Sequence, residues 1–357
     1  MAAPTSTEPP RIVFVLGAGA SAELGLPVGA ELKTKIAGLL DIKFARLQNL
    51  VSGDELIFEA LSIAARELSV GEGDVNALLH VARQIASAMP QAISIDNFID
   101  AHRGNRALEL CGKLAIIRSI LHAEQRSQLH FNRLQTSAPD PKKLPSSWHN
   151  SLFQLLTENC TLDQLEARLS TVAFLVFNYD RCLEQHLFYS LQNYYGITAD
   201  AAAIYVRRLR IFHPYGTVGA LPWMSEAGGI EYGLAPQGVQ LFQLVDMVKT
   251  FTEGTDPSSS AVVQIRQLVA TAKKVVFLGF AFHPLNLDLL SPGTASGAPT
   301  SNRLVFATAH GMSQSDAAVV SSELCTRLGL ATTGVHLRTD KTCTALFSEY
   351  WRTLYLA

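Results

Sequence analysis

Arg11-Ile12-Val13-Phe14-Val15-Leu16-Gly17-Ala18-Gly19-Ala20-Ser21-Ala22 opens as a β-branched, apolar run and closes on a glycine turn. The segment that follows, Pro27 to Leu40, carries apolar residues at helical spacing, so the whole stretch reads strand, turn, helix. Gly17, Gly19 and Ala22 fit G-x-G-x-x-G/A in the one context where that pattern has a mechanism. There, backbone N–H groups and a helix dipole can hold a pyrophosphate. On this reading the loop Gly17, Ala18, Gly19, Ala20 and Ser21 is a phosphate cradle. Gly17 permits the tight turn, Gly19 lets the backbone approach the phosphates, Ala22 allows close helix packing and Ser21 adds a hydroxyl. The competing reading is a glycine turn that serves packing alone.

Further buried-strand patterns recur at Val172 to Phe177, Leu209 to Phe212, Val275 to Phe280, Leu304 to Thr308 and Gly334 to Arg338. Between them lie helical patterns at Arg181 to Tyr194, Leu241 to Phe251, Ser260 to Lys274, Ser313 to Leu328 and Thr344 to Leu354. The alternation predicts an α/β chain with a Rossmann-like, doubly wound, mainly parallel sheet of about six strands. Residues 11–43 and 158–357 form the expected nucleotide-binding catalytic domain. Residues 44–157 read as a large helical insertion, and 1–10 as a disordered tail. Breaker-rich stretches at 137–147, Glu253 to Ser260 and Ser291 to Ser301 read as loops.

Composition narrows the function classes. The chain has 357 residues, 48% of them hydrophobic and 17% charged, enough apolar material for a packed core. A formal charge of −2 argues against a nucleic-acid-binding surface, and Arg207-Arg208-Leu209-Arg210 reads as a solvated helix end. No apolar run approaches the roughly 20 residues of a membrane span, and no secretory signal opens the chain, so a soluble, cytoplasmic protein is expected. Cys111, Cys160, Cys182, Cys325 and Cys343 are scattered without a C-x-x-C pair, which suggests neither disulfides nor a metal site.

Three familiar uses of a glycine turn are disfavoured. A hydride-transfer enzyme needs an acidic residue closing a second strand about 20 positions on. Asp41 lies near that offset but follows a helical run. No Gly-Lys-Ser/Thr closes the loop as in a P-loop, and Glu23 stands where a hydrolase nucleophile elbow needs glycine.

Polar residues that end parallel strands fall in the crevice where such sheets bind ligands. One strand runs into Phe177-Asn178-Tyr179-Asp180 and another into His213-Pro214-Tyr215-Gly216. Asn178 can bond a ribose hydroxyl or position a water, and His213 can accept a proton near neutral pH. Asp180 can orient either one or cap the next helix. Later, Gly279 would let the sheet edge approach a ligand, Asn286 or Asp288 could reach an adenosine ribose, and Thr308 is a candidate adenine neighbour. Phe280 and Phe282 suit packing better than stacking, and His283 and His310 read as loop or helix-end residues.

These pieces resemble the sirtuin-like family, in its bacterial NAD-hydrolase branch associated with antiphage defence. The matching segments are Gly17 to Ser21 followed by Gly25-Leu26-Pro27, Phe177 to Asp180, His213 with Gly216, and Leu278-Gly279-Phe280. The likeness covers roughly two-thirds of the chain. Ser94-Ile95-Asp96-Asn97-Phe98 looks like a segment that recurs near the pocket of such proteins, its alternative being a helix start capped by Ser94. The resemblance implies Asn178 and His213 as the catalytic pair. The glycine loop, Pro27, Asp180, Gly279, Phe280, Asn286 and Thr308 would hold NAD, which is substrate, with no metal. It also implies a homo-oligomer and a separately encoded partner such as a HerA-type ATPase or an Argonaute-like protein. Protein deacylases of this type carry paired zinc cysteines and an acidic-aromatic-arginine extension after their Gly-x-Pro element. Here Pro27 is followed by Val28-Gly29-Ala30-Glu31 and no cysteine pair exists, so acyl-lysine chemistry loses support. The expected activity is hydrolysis of NAD to nicotinamide and ADP-ribose by an abortive-infection effector. The alternatives are a catalytically silent NAD or ADP-ribose sensor and a lysine deacylase.

Overall fold

The first strand, β1 (Ile12–Leu16), is buried on both faces. Ile12, Phe14 and Leu16 enter one apolar cluster, Val13 and Val15 another, as alternation along a strand requires. β2 (Val172–Val176) splits the same way, with Val172, Phe174 and Val176 on one side and Ala173 and Leu175 on the other. β3 (Arg210–Phe212), β4 (Lys274–Leu278), β5 (Leu304–Thr308) and β6 (Val335–Arg338) complete one six-stranded sheet. Its order is β3-β2-β1-β4-β5-β6 and every pairing is parallel. The chain therefore winds outward from β1 to β3, returns to β4, and winds outward again on the other side. The crevice between β1 and β4 is the switch point at which folds of this order bind ligands. Leu16 pairs with both Val176 and Leu278. The three central strands thus end level, and Gly17, Phe177 and Gly279 lie side by side.

This computed structural model describes residues 8–356 except 46–48, 69–72, 133, 137, 141, 143, 145, 227, 251–252, 254–258, 292–302 and 331. The expected tail lies outside the described residues through position 7, but Pro10 is buried against the fold. Most of the loops expected at 253–260 and 291–301, and part of that at 137–147, also lie outside them.

Along the chain the described helices are α1 (Ala18–Ala22), α2 (Gly29–Leu40), α3 (Glu55–Leu68), α4 (Val75–Ala88), α5 (Ile95–Ala101), α6 (Arg106–Arg126), α7 (Trp148–Thr157) and α8 (Leu162–Leu169). They continue with α9 (Cys182–Tyr195), α10 (Ala199–Arg208), α11 (Gly238–Gln243), α12 (Ser260–Thr271), α13 (Pro284–Leu290), α14 (Gln314–Leu328) and α15 (Cys343–Leu354). One face of the sheet shares a single apolar cluster with α2 to α6 and α11 to α14, and the other with α7 to α10 and α15. The helical segment between β1 and β2 is therefore continuous with the core of the sheet. One of its later helices, α7, packs beside α15 on the second face through Trp148, Leu152 and Leu155. On that face His149 and His186 stack with ring centroids 5.7 Å apart, and burial holds His186 down to about 4.

Several boundaries differ from expectation. The strands at Val172 and Lys274 stop at Val176 and Leu278, so Phe177, Gly279 and Phe280 lie just beyond them. The stretch read as one helix over Leu241 to Phe251 is α11 followed by a 3₁₀ turn at Val245–Met247, its last residue lying outside the described ones. An antiparallel hairpin pairs Lys43–Phe44 with Leu50–Ser52, at the start of the 44–157 region read as a helical insertion. Arg207 and Arg208 do close a helix, but Arg210 belongs to β3 and is buried, its guanidinium bonded to the Glu8 and Ser170 carbonyls.

Candidate active site

Three glycines interlock at the switch point. Gly17 N–H donates to the Leu278 carbonyl at 2.9 Å and Gly19 N–H to the Gly279 carbonyl at 3.0 Å. A Cβ on Gly17 would stand 2.5 Å from the Gly279 oxygen, and one on Gly19 would stand 2.8 Å from the Gly279 Cα. Gly279 has φ +57°, in the left-handed region, and its own N–H donates to Thr308 Oγ1 at 2.8 Å. Close packing of two backbones thus accounts for both glycines of the motif. It also engages two N–H groups that the sequence reading offered to phosphates. The turn tightens at once into the five-residue α1, where a loop through Ser21 was expected. Among the described residues the Ala18 N–H at its start has no backbone partner.

A buried polar chain runs outward from this turn. Asn178 Nδ2 donates to the Gly17 carbonyl at 2.9 Å and to Ser21 Oγ at 3.0 Å. Ser21 Oγ in turn donates to Asp180 Oδ2 at 2.8 Å, and Asp180 Oδ1 accepts from the Cys182 N–H at 3.1 Å, at the start of α9. Asp180 thus bonds Ser21 and the first N–H of α9, whose N-cap residue is Arg181, and reaches Asn178 only through Ser21. Ser21, Asn178 and Asp180 are each under a tenth exposed. Asn178 Oδ1 is buried and, among the described residues, has no hydrogen-bond partner. Such a carbonyl costs free energy until a donor reaches it.

His213, beyond β3, stands beside this chain. Its Nδ1 lies 3.3 Å from the Asn178 carbonyl oxygen and its Nε2 2.7 Å from Glu184 Oε1. Burial works to depress the imidazole, but the Glu184 carboxylate, its hydrogen bond and the Asn178 carbonyl outweigh it and raise His213 above its ordinary value. Just below, Arg181 and Glu124 form a buried pair. Nη2 donates to Oε2 at 2.5 Å and Nε to Oε1 at 3.1 Å, and Nη1 reaches the Ile230 carbonyl at 2.5 Å. This pair ties α6 and the loop before Gly233 to the residue that follows Asp180.

The helical segment contributes through Asp96 on α5, whose Oδ1 accepts from Tyr179 Oη at 2.5 Å. Burial raises this carboxyl above its ordinary value, opposed by the bond from Tyr179. Ser94 also caps α5, accepting the Asn97 N–H at 3.0 Å, so the segment Ser94 to Phe98 is both a helix start and a neighbour of the site. Asn286 Oδ1 accepts from Tyr215 Oη at 2.5 Å, which turns Asn286 toward the β3 side. Asp288 pairs with Arg327. Phe280 is buried in an aromatic group with Phe177, Phe277 and Phe282, its ring centroid 5.1 Å from that of Phe177.

On the other side of Gly279 a cleft of about 720 Å³ opens over the ends of β4, β5 and β6, with Gly19, Gly279, Thr308, His310, Lys341 and Cys343 among its walls. Thr308, the candidate adenine neighbour, lines this cleft. Pro27 is buried behind its neighbour Val28, which lines it. Two braces had no sequence signal. Trp148 Nε1 donates to the Ala20 carbonyl at 2.6 Å. Glu23 accepts the Trp148 and Thr344 N–H groups, both at 3.0 Å, joining α1 to the starts of α7 and α15. Glu184 was also missed; an acidic residue four positions after Asp180, on the inward face of a helix, was the available hint.

Among the described residues no cluster of His, Cys, Asp and Glu could hold a metal ion, and no helix is long and apolar enough to cross a membrane. Comparisons with protein-family models, with curated proteins and with solved structures give no match.

Proposed function

We propose that this chain hydrolyses NAD at the nicotinamide–ribose bond. Water adds its hydroxyl to the ribose C1′, nicotinamide leaves as the neutral base and one proton is released, leaving ADP-ribose. The single observation that carries the reading is the orphaned Asn178 Oδ1 at the switch point, a buried acceptor held by two bonds through its Nδ2. A ribose hydroxyl or a water is the kind of donor it lacks. Bond cleavage of this type develops positive charge on the sugar, so holding and orienting the dinucleotide contributes more than a strong acid. Asn178 orients the ribose or the water and His213 takes the proton. The cleft beyond Gly279 accepts the adenosine half. Phosphate binding would rest on the Ala18 N–H rather than on Gly17 and Gly19, because the Ser21 hydroxyl proton is committed to Asp180.

Nicotinamide release by the wild type, Asn178→Ala and His213→Ala tests the proposal. Each variant should lose about 10²-fold or more, the scale of an oriented donor or a general base. Equal release by all three chains would overturn the assignment. A silent NAD-binding or ADP-ribose-binding module is the second reading, favoured by the engagement of both His213 ring nitrogens within the protein. It predicts nucleotide binding with no nicotinamide released on long incubation. The family likeness extends the first reading to a cytoplasmic antiphage effector that depletes NAD as a homo-oligomer beside a HerA-type ATPase. That extension is tested by NAD levels in infected cells and by co-purification.

A further inference from the structure

We propose that Glu184 is the positioning residue of His213, holding the imidazole through Nε2 and leaving Nδ1 as the nitrogen that exchanges a proton with the substrate. The inference rests on the NAD-cleaving reading. Glu184 is 2% exposed and sits in the first turn of α9. Burying a carboxylate is costly unless it is paired. Among the described residues its Oε1 has one side-chain partner, the His213 ring, and its Oε2 has none. The helix dipole favours an anion at that position.

The two ring contacts are unequal. Nε2 lies 2.7 Å from Glu184, within the range of a charge-assisted bond, whereas Nδ1 lies 3.3 Å from the Asn178 carbonyl, beyond the usual N–H···O range. The nitrogen with the weaker tie is the one whose protein partner a substrate would displace. The charged groups that act on the ring are Glu184 from α9 and Asp180 from the loop before it. Arg181 is committed to Glu124, and its charge also acts on Glu184. A carboxylate behind the ring fixes its rotation and stabilises the imidazolium formed when Nδ1 takes a proton. Glu184 touches no substrate in this arrangement and acts through His213.

The full chain, Glu184→Gln and Glu184→Ala decide the matter by two measurements. The first is the ring ¹⁵N titration of His213, assigned by its loss in His213→Gln. The second is the pH profile of nicotinamide release, resolved into kcat and KM. In Glu184→Gln, which keeps the shape and removes the charge, the ring midpoint should fall by about one unit or more. Its kcat should drop about 10-fold to 100-fold with KM nearly unchanged, and the acidic limb should move with the ring. An unchanged ring midpoint in Glu184→Gln would overturn the proposal, as would a raised KM at constant kcat. The titration needs no turnover, so a wild type that releases no nicotinamide sinks the NAD-cleaving reading while the titration still judges the Glu184–His213 pair.

Discussion

Gly279 and Ala20 approach so closely that a Cβ on Gly279 would stand 2.0 Å from the Ala20 nitrogen. The neighbour is backbone, so no side chain can swing aside, and φ +57° adds strain for any L residue. Gly279→Ala is expected to cost about 3 kcal/mol or more, or to prevent folding. Gly38→Ala is the control. Gly38 lies inside α2 with no atom within 4 Å of its added Cβ, and that substitution should stabilise by about 0.5–1 kcal/mol. Urea unfolding of both variants checks the contrast.

Ser21 stands between Asn178 and Asp180, accepting from one and donating to the other. Ser21→Ala leaves Asp180 Oδ2 without its donor and removes one acceptor of Asn178 Nδ2, in a region with little access to water. A loss of about 1–3 kcal/mol is expected, the scale of an uncompensated buried polar group. Nicotinamide release should fall as well, because the same bond orients Asn178. A variant with wild-type stability and wild-type turnover would contradict the network.

The Arg181–Glu124 pair is the most buried ion pair described, its side chains 2% and 0% exposed. Removing one partner strands the other charge, so Glu124→Ala or Arg181→Ala should each cost about 3–5 kcal/mol. Replacing both by apolar residues of similar volume should recover much of that loss. A double-mutant cycle by chemical denaturation measures the coupling, and additive single costs would refute it.

His186 carries a pH signature. It is held at about 4 from an ordinary 6.5 by burial, next to His149, which burial also depresses. The unfolded chain therefore takes up protons below pH 6.5 that the folded chain refuses. Stability is complete above 6.5 and declines as pH falls toward 4, by about 2 kcal/mol at pH 5 from His186 alone. His186→Gln should start less stable at pH 7.5 and lose less between pH 7.5 and 5. Parallel slopes for variant and wild type would exclude this origin.

The architecture was legible because each central strand announces itself locally. Ile12 to Leu16 ends at Gly17 and Lys274 to Leu278 at Gly279, short apolar runs punctuated by a breaker. The rule that strand ends gather ligands brings Asn178 and His213 to one crevice, and the His213 ring lies 3.3 Å from the Asn178 carbonyl. Short elements were not legible. The seven residues of α13 and the two-residue and three-residue strands of the hairpin are too brief for periodicity to mark. The five of α1 are small side chains without an apolar stripe. Glu184, Glu23 and Trp148 escaped for a different reason, since their roles lie in contacts between distant parts of the chain or across a helix face, as in the bond from Trp148 to Ala20. The purpose of the two motif glycines also changed: what reads as room for a phosphate is filled by Gly279.

The placement of β1 at the centre of the sheet has a consequence for biosynthesis. Ile12 to Leu16 is made well before its two neighbours, which begin at residues 172 and 274. Until Val172–Val176 has been made it is an unpaired, wholly apolar strand, the kind of segment that invites aggregation, and contacts this distant in sequence form slowly. The crevice beside Gly17 cannot exist until the strand ending at Leu278, about 260 residues further on, has been made.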